Sequence, residues 1–83
     1  MEIKETIPMM TSKDYRERFK GEYCQLKIRI EKLEDMLRDY KAGTLPFKPT
    51  CSYELLFEQL IYMKNYLQVL NQRAEIENIN INS

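Results

Sequence analysis

Between Ser12 and Ala42 the chain has no proline, and Phe19, Tyr23, Leu26, Ile30, Leu33, Leu37 and Tyr40 recur at alternating steps of four and three. A second run, Tyr53, Leu56, Leu60, Met63, Leu67, Leu70 and Ala74, repeats the pattern at three and four. Steps of this kind bring every listed side chain to one stripe of an α-helix and suit neither a strand nor a loop. Two stripes of equal period and length, in one short chain, predict two helices that bury their seams against each other.

The punctuation fits. Thr11 with Asp14, or Ser12, can accept the orphan N–H groups that open a first helix over 12–42. Gly43 stands where a left-handed cap belongs, and Pro46 and Pro49 forbid continuation. Thr50 or Ser52 then caps a second helix over 52–76. A loop of nine residues, 43–51, carries Leu45 and Phe47, which are expected to plug the open end. Gly21 is an interior blemish, costing about 1 kcal/mol against alanine. The expected fold is all-α: an antiparallel two-helix hairpin over 11–76 with heptad packing, a flexible extension over 1–10 and a frayed tail over 77–83.

One hairpin leaves apolar surface over. Leu55, Tyr62, Val69 and Ile76 form another stripe on the second helix, with Phe57, Ile61 and Tyr66 between the two. A helix apolar over so much of its circumference needs cover on more than one side. With 83 residues the chain buries only about 60–65% of its unfolded surface, which also favours self-association. Leu55, Tyr62, Tyr66, Val69 and Ile76 are therefore the predicted interface of a homo-oligomeric helical bundle.

Several functions are excluded by what is missing. No histidine is present, which removes the usual general base, the Ser-His-Asp arrangement and histidine metal ligands. The only glycines are Gly21 and Gly43, so there is no phosphate loop. Glu31, Glu34 and Asp35 read as a solvated helix face and not as a metal site. Cys24 and Cys51 match no zinc or redox spacing; Cys24, near Lys20 and Lys27, reads as a half-buried small side chain. Thirteen basic and thirteen acidic residues cancel, giving no global field toward DNA or an anionic membrane. With no signal segment or membrane span read in the chain, the expectation is a cytoplasmic protein without catalysis, cofactor or metal.

The first half of the first helix is locally basic: Lys13, Arg16, Arg18, Lys20, Lys27, Arg29 and Lys32 stand against Asp14, Glu17, Glu22 and Glu31. Tyr15, Phe19 and Tyr23 are interleaved with them. Cations meet phosphate, and aromatic or guanidinium planes meet a base, so the mixture suits a small nucleotide. The plainer reading makes the aromatics seam residues and the charges intrahelical pairs such as Arg18 with Glu22.

The pattern Tyr-Arg-Glu-Arg-Phe-Lys-x-Glu-Tyr-x-x-Leu-x-x-Arg-Ile-x-Lys-Leu-x-x-Met-Leu at Tyr15 to Leu37 resembles a family of small helical phage and prophage proteins named after a crAss-like phage gene product. Leu-Leu-x-x-Gln-Leu-x-x-Met-x-x-Tyr-Leu-x-x-Leu at Leu55 to Leu70 continues it. In size and helical plan the chain is also similar to phage anti-CBASS sponges, small oligomers that sequester cyclic nucleotide signals of bacterial immunity. That resemblance implies a cyclic di- or trinucleotide held between subunits, with Tyr15, Arg16 and Lys20 in the place of the ligand-binding residues; Lys27, at roughly helical spacing on the same basic flank, is a further candidate phosphate contact. The alternative is a helical protein-binding module or structural adaptor acting on a host or phage protein.

Overall fold

The computed structural model describes residues 1–81, and among them every regular element is helical. A 3-10 turn at Ile3–Thr6 leads into α1 (Ile7–Met10), followed by α2 (Tyr15–Ala42) and α3 (Tyr53–Ile76). At 28 residues α2 spans about 42 Å, which accounts for the 43 Å long axis of the molecule.

Local chemistry fixes each helix end. The side chain of Asp14 accepts from the Arg16 N–H, so Asp14, and neither Thr11 nor Ser12, is the N-cap of α2; Ser12 Oγ instead accepts from the Asp14 N–H. Ser52 caps α3 by accepting from the Leu55 N–H. Gly43, at φ +74°, ends α2: its own N–H reaches the Tyr40 carbonyl and the Thr44 N–H reaches the Asp39 carbonyl. That pairing of the last carbonyls requires a left-handed residue, which glycine adopts without penalty.

Contacts between α2 and α3 step in opposite directions along the chain. Tyr15 meets Glu77, Glu22 meets Tyr66, Glu34 pairs with Lys64, and the Tyr40 ring lies edge-on to Tyr53. Between these polar rungs, Phe19, Tyr23, Leu26, Ile30 and Leu37 from α2 join Leu60, Leu70 and Ala74 from α3 in one buried cluster. Leu33, Leu56, Met63 and Leu67 pack on it half-buried. Leu70, with no exposed surface, is its centre.

Three regions differ from the expectation drawn from sequence. Residues 1–10, expected as a flexible extension, form the 3-10 turn and α1, and both pack along α2. There Thr6 is fully buried, with its hydroxyl donating to the Ile3 carbonyl at 2.6 Å. The approach is permitted by Gly21: a Cβ at that position would lie 3.0 Å from Met10 N, Met10 Sδ and Met9 Cβ. Ile28, off the predicted seam, is buried on α2 seven residues, two turns, beyond Gly21. α2 thus carries a layer on each side.

The tail, expected to fray, turns back into the core as far as it is described; residues 82 and 83 lie outside the described part. Asn78 takes φ +58°, the Ile79 N–H reaches the Ala74 carbonyl at 2.8 Å, and the Asn78 N–H reaches Glu75. This is the same closure as at Gly43, with asparagine at the left-handed position. It delivers Ile79 into the cluster beside Ala74. At the opposite end the plug is half made. Leu45 is half-buried, whereas Phe47 keeps 55% of its surface exposed.

Among the described residues no helix is long and apolar enough to cross a membrane. The predicted interface residues Leu55, Tyr62, Tyr66, Val69 and Ile76 all stand exposed along α3, from 45% at Tyr66 to 84% at Ile76. Leu55, Tyr62 and Tyr66 line one shallow groove with Glu58, Gln59 and Met63.

Candidate functional site: the tyrosine and arginine cluster

The start of α2 and the end of α3 meet because the seams pair in opposite directions, and their meeting concentrates aromatic and basic groups. Phe19 is a buried seam residue, so its ring is a fixed platform. The Arg73 guanidinium lies over it, 5.1 Å from Cζ to the ring centroid, in cation–π geometry. Tyr15 stands one turn before Phe19 with its ring tilted against it at 6.4 Å.

The polar atoms close a ring. Tyr15 Oη donates to Glu77 Oε1 at 2.7 Å and accepts from Arg73 Nη2 at 2.8 Å, while Arg73 Nε donates to Glu77 Oε2 at 3.3 Å. Arg16 Nη1 donates to the Asn78 carbonyl at 2.8 Å, binding the tail to the same end. The Tyr15 hydrogen bond, followed by that from Arg73, holds the Glu77 carboxyl below its ordinary range against partial desolvation. Reciprocally, the bond to Glu77 is the main cause that raises Arg73 above its usual value, so the guanidinium is permanently charged.

Of the four residues predicted to bind ligand, Tyr15 and Arg16 share this end of the molecule. Lys20, half-buried, and Lys27, exposed, make no ion pair among the described residues. Lys27 lines a separate cleft with Met1, Ile28 and Ile81, so it is not brought to Tyr15. The residue that completes the cluster is Arg73. A signal for it existed in the sequence, since Arg73 is three residues before Ile76 and four after Val69, on the same flank as the exposed stripe. No group of three or more potential metal-ligating side chains occurs among the described residues. Cys24 is half-buried and Cys51 exposed, both as free thiols.

The cluster gathers two guanidinium groups, two aromatic rings and one carboxylate at one end of the molecule. A family model described as Sequestin matches residues 13–76, a stretch that includes both long helices and every residue of the cluster except Glu77 and Asn78. Among curated proteins and solved structures nothing matches the chain.

Proposed function

We propose that this chain, which belongs to the Sequestin family, is a non-enzymatic sponge. In this reading it is encoded by phage or prophage and works in the bacterial cytoplasm. Copies assemble through the exposed stripe of α3, and the assembly withdraws a cyclic oligonucleotide from immune signalling. The family name itself points to a sequestering role. The observation that supports the rest is the position of the cluster: Arg73 lies between Val69 and Ile76 on α3, so a partner copy seated on that stripe borders the guanidinium and the Tyr15 hydroxyl. A twofold junction presents each of these groups twice, which suits a ligand with two phosphates and two bases.

The test is a thermal-shift screen against cyclic di- and trinucleotides. A ligand bound only by the folded state must raise the midpoint, by an amount that grows with its concentration. Ligand released by heating should be recovered unchanged. A chain that responds to no member of the panel does not act as this sponge. A second reading, a protein-binding module or adaptor, is favoured by Phe57 and Ile61, exposed at 44% and 45% on a flank of α3 away from the stripe. It takes first place if the panel is silent and a purified host or phage protein binds α3.

A further inference from the structure

The ring of hydrogen bonds where α2 begins and α3 ends contains one component that belongs to neither an apolar seam nor a cation cluster, the Glu77 carboxylate. It takes the Tyr15 hydroxyl at 2.7 Å and one edge of the Arg73 fork at 3.3 Å. A hydroxyl donor and a guanidinium edge held against an aromatic face are also the donors that a phosphate oxygen pair takes. We propose that Glu77 is a built-in placeholder. Its carboxylate fills the anion subsite of Tyr15 and Arg73 while the site is empty, and a ligand phosphate displaces it.

Three features support displacement over permanent structure. First, Glu77 is the residue that follows α3, and Asn78 beyond it already has left-handed backbone, so the carboxylate can swing out without unwinding a helical turn. Second, a negative charge at the C-terminal end of a helix is disfavoured by the helix dipole, so Glu77 stays only because of the donors it meets. Third, Arg73 rests on Phe19 and on the Tyr15 oxygen independently of Glu77. Its fork therefore remains aimed after the carboxylate leaves, and little ordering cost is added to binding. Arg16, whose Nη1 donates to the Asn78 carbonyl next to Glu77, is a further cation at this end for the incoming phosphate.

The identity of the ligand rests on the cyclic-nucleotide reading; the placeholder does not, and the experiment separates them. Inorganic pyrophosphate is titrated by calorimetry into the parent chain, Glu77→Gln and Glu77→Gln/Arg73→Gln, at matched ionic strength. Glutamine preserves the acceptor for Tyr15 while removing the competing charge, and circular dichroism checks that the helices are intact. The single variant is expected to bind pyrophosphate about tenfold more tightly than the parent, and the double variant to lose the gain. Glu77→Ala should shift in the same direction as Glu77→Gln. Equal or weaker binding by Glu77→Gln, or a gain that survives loss of Arg73, overturns the proposal. A cyclic dinucleotide panel runs in parallel. If pyrophosphate binding gains but no cyclic nucleotide binds either chain, the sponge reading fails and the placeholder stands. If a cyclic dinucleotide binds the parent and Glu77→Gln weakens it, the placeholder falls and the sponge reading stands.

Discussion

Gly21→Ala tests whether the N-terminal segment and α2 are one packed unit, because the two effects of the added methyl have opposite signs. In the interior of α2, alanine is favoured over glycine by about 1 kcal/mol through helix propensity alone. Against that, the new Cβ lies 3.0 Å from Met10 N, Met10 Sδ and Met9 Cβ. One of those atoms is backbone, so relief requires the segment itself to move. Forcing a methyl into a closed contact costs about 1–3 kcal/mol. The sum for the whole chain runs from about zero to 2 kcal/mol destabilising. Deleting residues 1–10 removes the obstacle, and there the same substitution should stabilise by about 1 kcal/mol. The coupling between segment and methyl is therefore about 1–3 kcal/mol, which a double-mutant cycle measures directly. The assay is urea unfolding followed by the helical signal, on four chains at one protein concentration, since any association would otherwise shift the midpoints. If alanine stabilises both backgrounds equally, within about 0.5 kcal/mol, the segment does not lie on Gly21 and this part of the packing account is wrong.

Three further outcomes are expected. Leu70→Ala, at the one fully buried leucine, should cost about 2–5 kcal/mol, and Leu33→Ala, half-buried at the seam, should cost less; the reverse order in chemical denaturation means the core centre is misplaced. Light scattering should report at least twice the 10.1 kDa chain mass, and Val69→Glu should reduce it, because a charge would be buried in the assembly; a monomer at micromolar concentration refutes the interface. Glu77 is held below its ordinary range in the folded chain, so its contribution is complete above the unfolded value and disappears as pH falls through the folded one. Parent and Glu77→Gln should accordingly differ most in stability near neutrality and converge in acid, and a constant gap down to pH 3 contradicts the hydrogen bonds described.

Much of the helical plan was legible because it is periodic. Seven-residue repetition identified Phe19, Tyr23, Leu26, Ile30 and Leu37 as core without any knowledge of the partner, and the same holds for Leu60, Leu70 and Ala74. What escaped was built from too few residues to show a period. The 3-10 turn and α1 have four residues each, and Gly21 reads as a defect in the sequence although Met9 and Met10 lie against it. Ile28 is buried off the α2 seam, so nothing in that seam announces it. The tail carried a readable signal, an asparagine followed by isoleucine just beyond a helix, with Ala74 placed to meet that isoleucine. At the candidate site, sequence spacing gathered cations that neighbour one another along α2. The structure selects instead by proximity across the pair, retaining Tyr15 and Arg16 and adding Arg73 and Glu77 from 57 to 62 residues away.

Those separations set an order of assembly. Near the loop, Tyr40 reaches Cys51 and Tyr53 across only 11 to 13 residues, whereas Tyr15 with Glu77 and Arg16 with Asn78 each close 62. For a flexible chain the entropic difference between closing 13 and 62 residues is about 1.4 kcal/mol. Zipping therefore starts beside the loop and ends at the tyrosine–arginine ring, and opening runs the other way. Amide protons there should exchange first with solvent, at free energies well below that of global unfolding. The end proposed to hold an anion is thus expected to form last, and is the part whose closure a bound molecule would have most to gain by completing.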